Sequence, residues 1–332
     1  MNNGTGRTRL KMKDSFNREI DYVRISVTDR CDLRCTYCMP ATGICFLQKQ
    51  EVLSTNEILF LVRKLAEHGI KKVKITGGEP LTRRDTVGLI QSIKEIKGIE
   101  KVTLTTNGIQ LERYAEALKE AKLDGINISI DTLNQDDFRE ITRVGDLKRV
   151  LAGLEKAIEV ALPNIKVNTV ARGELIAEEI CEIAALAKVN PIHIRFIELM
   201  PIGLGKGCPG KTQEDIFTVL ESNYGTLVPF EQRLGNGPAS YFTLPDFNGK
   251  IGFISALGHC FCAECDRIRV TADGQLKTCL HMDDGCDLKE ALQTENEELL
   301  LRQILAAIER KPEKHHFLET QGDSRLMSQI GG

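Results

Sequence analysis

Two groups of cysteines set the chemistry open to this chain. Cys31, Cys35 and Cys38 stand at C-x3-C-x2-C spacing just after an apolar run, and Cys262, Cys265 and Cys279 stand at C-x2-C-x13-C far downstream. Each set offers three thiolates. Closed zinc sites take four ligands and iron-sulfur cubanes are ordinarily held by four cysteines, so three leave one coordination position open to a substrate or cofactor. At the first set the local candidate for a fourth ligand, Cys45, lies off any familiar zinc spacing. At the second set Cys260, His259, His281 or Cys286 can complete a tetrahedral zinc ribbon, and spacing alone leaves zinc and iron-sulfur evenly open. Within that set runs Asp266-Arg267-Ile268-Arg269. On an extended strand its two guanidiniums share one face and suit a polyphosphate, with a surface salt-bridge strand as the plainer alternative.

These groups need elements to hold them. Short β-branched runs at Tyr22 to Val27, Val73 to Thr76, Val102 to Thr106, Ile126 to Ile130, Ile165 to Val170 and Ile192 to Ile197 read as strands. Helical patterns lie between them. Ser54 to Glu57 fits a capping box ahead of Ile58, Leu61, Val62 and Leu65, and further helices run over Asp85 to Lys97, Leu111 to Lys122, Asp146 to Leu162 and Ala177 to Val189. This alternation predicts a parallel sheet with right-handed crossovers, a set of six βα units curling into a partial barrel. In such folds function collects at strand ends. Accordingly the first cysteine loop follows strand one and Gly77-Gly78-Glu79-Pro80 follows strand two, where Glu79 can accept from an amine. Thr105-Thr106-Asn107-Gly108, Ser129-Ile130-Asp131 and Glu198-Leu199-Met200 end later strands, and each taken alone reads as a turn or cap.

Composition shifts at Pro201, after which Gly203, Gly205, Gly207, Pro209 and Gly210 fall within ten residues. A helix over Glu214 to Asn223, hairpins turning at Asn248-Gly249 and Asp273-Gly274, and a last helix over Lys289 to Arg310 make a small α+β unit. The expected organisation is an N-terminal extension at 1–21, the partial barrel at 22–200, the smaller domain at 201–310 and a tail at 311–332 ending Gly331-Gly332.

With 44 basic against 47 acidic residues the chain has no global field for nucleic acid. Eleven cysteines in 332 residues, clustered in triplets, favour metal ligation over disulfides. The polar start, dotted with Arg7, Arg9, Lys11, Lys13 and Arg18, lacks the core of a signal peptide, and no run approaches the roughly 18 apolar residues of a membrane span. A cytoplasmic protein is expected.

The C-x3-C-x2-C loop after a strand, followed by Gly77-Gly78-Glu79-Pro80, resembles the radical S-adenosylmethionine (radical SAM) superfamily. The second set, the tract Cys265 to Gly274 and the ending Met327-Ser328-Gln329-Ile330-Gly331-Gly332 narrow the resemblance to the GTP 3′,8-cyclase family, over about Tyr22 to Gly332. The resemblance implies an α/β fold, a partial (βα)6 barrel with a small C-terminal α+β cluster-binding domain. It implies two 4Fe-4S clusters, one on Cys31, Cys35 and Cys38 and one on Cys262, Cys265 and Cys279. S-adenosylmethionine is then contacted by Tyr37, Gly78, Ser129 and Met200. GTP is met by Arg24, Lys74, Thr105, Lys166, Arg195, Arg267, Ile268 and Arg269, with Lys74 standing where some relatives carry arginine. Gly331 and Gly332 reach the active site as a catalytic element. The implied activity is cyclisation of GTP at the opening of molybdenum cofactor (molybdopterin) biosynthesis. Its implied partners are a flavodoxin- or ferredoxin-type electron donor and a downstream pyranopterin-forming enzyme. The competing expectations are a peptide-modifying radical SAM enzyme with an auxiliary cluster and a non-catalytic iron-sulfur electron carrier; the latter needs closed clusters, which three-cysteine sets do not supply.

Overall fold

Six β-branched runs become six neighbouring parallel strands: β1 (Tyr22–Ser26), β2 (Lys72–Thr76), β3 (Lys101–Thr106), β4 (Gly125–Ser129), β5 (Ile165–Ala171) and β6 (His193–Glu198). The computed structural model describes residues 12–283, 285–317, 319 and 322–331. The remaining strands are β7 (Val228–Phe230), β8 (Ser240–Thr243), β9 (Ile251–Ile254), β10 (Arg267–Val270), β11 (Gln275–Lys277) and β12 (Cys286–Asp287). Both predicted hairpins form, β8 with β9 and β10 with β11.

Strands after residue 200 do not build a sheet of their own. β9 pairs parallel to β6 and β10 pairs parallel to β1, so all twelve strands form one sheet in the order β12-β11-β10-β1-β2-β3-β4-β5-β6-β9-β8-β7. Laid flat at about 4.8 Å spacing, the eight strands from β10 to β9 would span roughly 34 Å. Residues of all eight nevertheless line one cavity, so the sheet curls around it.

The helices are α1 (Thr55–Glu67), α2 (Thr86–Lys94), α3 (Leu111–Glu120), α4 (Gln135–Thr142), α5 (Leu147–Glu159), α6 (Ala177–Val189), α7 (Gln213–Tyr224), α8 (Lys289–Gln293), α9 (Glu297–Glu309) and α10 (Met327–Ile330). The Ser54 capping box forms as expected, Ser54 Oγ accepting from Glu57 N–H and Glu57 accepting from Ser54 N–H. α3, which has no stop in sequence, ends where Lys122 turns left-handed and Leu123 N–H donates to Leu118 C=O. The single helix expected over Lys289 to Arg310 is two. Glu295 takes φ 49° and Asn296 restarts the chain as a cap, accepting from Leu299 N–H. α4, short and polar, has no predicted counterpart; Asn134 caps it by accepting from Asp136 and Asp137 N–H. No helix among the described residues is long and apolar enough to cross a membrane.

Part of the N-terminal extension is structural. Arg7, Arg9 and Lys11 lie outside the described residues, but the buried Arg18 pairs with Asp14 at 2.5 Å and donates to the carbonyls of Cys262, Pro312 and Glu313. It ties the start of the chain to the second cysteine loop.

Candidate active site between the two cysteine sets

A cavity of about 350 Å³ opens at the strand ends, and all six cysteines of the two sets line it. None of the chain's cysteines is in a disulfide. The first loop is braced from several sides. Arg143, left-handed at the end of α4, donates to the carbonyls of Arg34 and Met39 at 2.9 and 2.8 Å, while Arg34 and Thr36 N–H donate to Thr142 and Ile141. Asn107 Nδ2 donates to Asp32 at 2.7 Å, and Leu33 N–H approaches Cys31 Sγ at 3.4 Å. Burial pushes the Cys31 thiol up to about 12, Cys35 well above its ordinary value and Cys38 up to about 11, with Ser328 of the tail pulling Cys38 the other way. Such thiols ionise when a cationic metal replaces the proton, so the cradle fits a metal cluster.

Gly77 and Gly78 are glycines because backbone passes too close for anything larger. A Cβ would come 2.4 Å from Thr28 O at Gly77 and 2.4 Å from Arg30 O at Gly78. This contact seats the entry to the cysteine loop on β2 and leaves Gly78 on the cavity wall. Glu79 does not reach the cavity to meet an amine. It is buried, its carboxylate accepts from Leu81 and Asn107 N–H and from Thr106 Oγ1, and burial raises it to about 7. Its work is to brace the turn after β3. Tyr37, Ser129 and Met200 line the wall, and Tyr37 donates to Asp131 at 2.6 Å.

The second set is held differently. Cys262 and Cys265 flank the turn entering β10, and Cys279 follows β11. Burial pushes Cys262 up to about 11. Burial acts on Cys265 too, but Lys311 and Arg267 outweigh it and bring that thiol down to about 7. Lys311 Nζ is fixed there by the carbonyls of Arg267 and Thr278.

Between the sets the wall is cationic. Among the described residues Arg24, Lys74, Arg195, Arg267 and Arg269 line it against one carboxylate, Asp131. Strand register explains the grouping: Arg269 stands beside Arg24 and Arg24 beside Lys74, one residue on each of three adjacent strands. Burial, then Arg24 and Arg195, push Lys74 well below its ordinary value. Cations so placed repel one another until an anion arrives. Thr105, Asn127 and Asn168 add neutral polar groups, and Arg195 donates to Asn168 Oδ1.

Two other residues that the resemblance implies for GTP are buried. Lys166 shares the inward face of β5 with Asn168 but is buried, donating to Asn164 Oδ1, and burial followed by Arg195 pushes it down to about 6. Ile268 alternates with Arg267 and Arg269, so its side chain is buried in the hydrophobic core on the opposite face of β10. Gly331 is placed by contact: its carbonyl accepts from Arg269 at 2.9 Å, its φ is +75°, and a Cβ would come 2.0 Å from Ser26 Oγ. Gly332 lies outside the described residues. Asn127 and Asn168 were missed in the sequence although inward alternation with Ser129 and Lys166 points to them; Arg143, Lys311 and His315 left no local signal.

The wrapped parallel sheet and its three-cysteine loop at the strand ends define a radical SAM enzyme. The Radical SAM superfamily matches residues 25–187, and the Molybdenum Cofactor Synthesis C family matches residues 192–317. Among solved structures, Streptococcus suis SuiB bound to S-adenosylmethionine shares the fold at TM-score 0.61 and 18% identity, over 86% of this chain and 68% of that one. The protein named GTP 3′,8-cyclase from Clostridium perfringens (strain SM101 / Type A) is 45% identical over 324 residues, and that from Alkaliphilus oremlandii (strain OhILAs) 47%. Both alignments cover 97% of this chain and 100% of the relative. At that identity and coverage the chain belongs to the GTP 3′,8-cyclase family, whose radical SAM chemistry uses S-adenosylmethionine and a 4Fe-4S cluster.

Proposed function

We propose that this chain converts GTP to (8S)-3′,8-cyclo-7,8-dihydroguanosine 5′-triphosphate, the first step of molybdenum cofactor biosynthesis. The observation that carries this is the cationic wall, five basic side chains against one engaged carboxylate, set between two three-cysteine sets in one cavity. A triphosphate brings about four negative charges, and Arg24, Lys74, Arg195, Arg267 and Arg269 would neutralise them with charge-assisted contacts. Lys166, on the same face of β5 as Asn168, adds a charge, Thr105 a hydroxyl, and Ile268 only backbone. In this proposal Cys31, Cys35 and Cys38 hold the cluster that S-adenosylmethionine joins, beside Tyr37, Gly78, Ser129 and Met200. Cys262, Cys265 and Cys279 hold a second 4Fe-4S cluster at the guanine end. When bound, the first cluster and S-adenosylmethionine supply the one-electron chemistry that removes the ribose 3′ hydrogen. The protein holds C3′ against that centre and C8 within bonding reach, and the enclosing sheet and the Gly331-Gly332 tail exclude water. An electron donor of flavodoxin or ferredoxin type, a downstream pyranopterin-forming enzyme and a cytoplasmic setting complete the proposal.

Anaerobic incubation with dithionite, S-adenosylmethionine and GTP tests it. 5′-Deoxyadenosine should form together with the cyclised nucleotide, and only when GTP is present. Equal formation with GTP left out, or with a peptide in its place, would count against it.

A further inference from the structure

Cys260 belongs to neither cysteine set. The structure brings it to Cys262 and His315, where the two sulfurs and a ring nitrogen all lie within 4.8 Å of one another. No other three His, Cys, Asp or Glu donors among the described residues approach that closely. Ligands at 2.0–2.3 Å from a single zinc-like ion stand roughly 3.3–3.8 Å apart, so small side-chain shifts would close this trio on one ion. In a cubane each cysteine binds a different iron, which spreads the sulfurs, and neither three-cysteine set draws its sulfurs together as this trio does.

The hydrogen bonding of His315 leaves one ring nitrogen open. Nε2 lies 2.7 Å from the carbonyl of Ala256, which only accepts, so Nε2 carries the proton and Nδ1 keeps its lone pair. Nδ1 is buried with no hydrogen-bond partner. A histidine whose other N–H donates to a backbone carbonyl has the posture of a metal ligand. Phe317, with its ring 4.3 Å away, holds the imidazole, and Cys260 is exposed, which leaves the trio an entry from solvent.

We infer that Cys260, Cys262 and His315 form a site for one thiophilic divalent cation of zinc's class, with the fourth position open to water. Cys262 also serves the second cysteine set, so this ion and the second cluster exclude each other. The exclusion rests on the two-cluster proposal above; the site itself does not.

Titration of the iron-free full-length chain with Co²⁺ under anaerobic conditions, read by the visible d–d bands and thiolate charge transfer of tetrahedral cobalt, tests the site. The parent chain should show these bands and lose them to added Zn²⁺. Cys260→Ser and His315→Gln should each weaken Co²⁺ binding by more than about tenfold, which is what losing even an outer hydrogen-bond partner of a ligand does. Cys279→Ala keeps all three donors and should bind as the parent does. Bands unchanged in Cys260→Ser and His315→Gln, or lost in Cys279→Ala, overturn the site; Cys260 is exposed, so its serine variant tests the ligand without touching the core. Reconstitution with iron and sulfide should abolish Co²⁺ binding. A chain that holds both clusters and still takes Co²⁺ through Cys260 and His315 overturns the exclusion. A chain that accepts only the first cluster and binds Co²⁺ as before supports the site and removes the second cluster.

Discussion

Around Cys31, Cys35 and Cys38 burial prevails, and the thiols are held between about 11 and well above it; around Cys265 Lys311 and Arg267 prevail over burial and hold the thiol near 7. The first set therefore ionises only as metal arrives, since the metal must supply the charge that the pocket lacks. The second has a thiolate in reach at neutral pH before any metal is present. One of the two cations that lower Cys265, Arg267, also faces the cavity where a triphosphate would lie.

The contrast is open to direct attack. The largest effect belongs to the alanine triple at Cys31, Cys35 and Cys38, which should abolish S-adenosylmethionine cleavage. The alanine triple at Cys262, Cys265 and Cys279 should instead keep about half the iron of the reconstituted parent, which is two cubanes. If the second triple keeps all the parent's iron, the division into two clusters fails.

Removing Gly331 and Gly332 should cost nearly as much turnover while leaving iron content and GTP binding in place. Gly331→Ala should follow it, because alanine meets Ser26 at a strained φ. Turnover at the parental rate in the deletion would end the case for a tail inside the chamber.

A smaller change is expected from Arg269→Ala. GTP affinity measured by calorimetry should fall by about 1.5–3 kcal/mol, the worth of a charge-assisted hydrogen bond, with S-adenosylmethionine affinity nearly constant. Equal losses for both ligands would point to a damaged sheet. GTP binding near pH 7 should also take up protons: Lys166, held at about 6 in the empty site, is mostly neutral there and becomes charged beside the triphosphate. Heats that do not vary with the buffer's ionisation enthalpy would remove Lys166 from the anion's surroundings.

The smallest effect is a shift along the pH axis. In the iron-free chain Cys265 alkylation should rise through pH 7, as the thiolate forms above its lowered pKa, and Lys311→Met should move that rise upward. Cys31 and Cys38 should stay unreactive over the same range. A profile unmoved by Lys311→Met would show that the lysine does not activate the thiol.

Much of the frame was legible because it is local. Ser54 and Glu57 announce α1, Gly69 closes it, and the inward spacing of Arg267 and Arg269 follows from the two-residue period of a strand. What escaped depends on distant partners. Nothing near Glu79 says that its carboxylate will be spent on Asn107 and Thr106, and nothing near residue 295 marks the break between α8 and α9 except an asparagine that reads equally well inside a loop. Lys277 was unremarkable in sequence. In the fold its ammonium is fully buried and pairs with Asp323, which Arg325 also grips, so that β11 anchors the segment leading to α10 and Gly331.

The pairing of β1 with β10 joins Tyr22 to Arg267 and so spans most of the chain. At a synthesis rate of about 5–20 residues per second, the first cysteine loop leaves the ribosome on the order of tens of seconds before the strand that covers its edge exists. During that interval one side of β1 is an unpaired strand edge and the cradle's thiols stand in water. Iron that entered then would have no shelter from oxygen. The topology therefore favours cluster insertion after release of the finished chain, and makes the chain's last third the timer for loading its first.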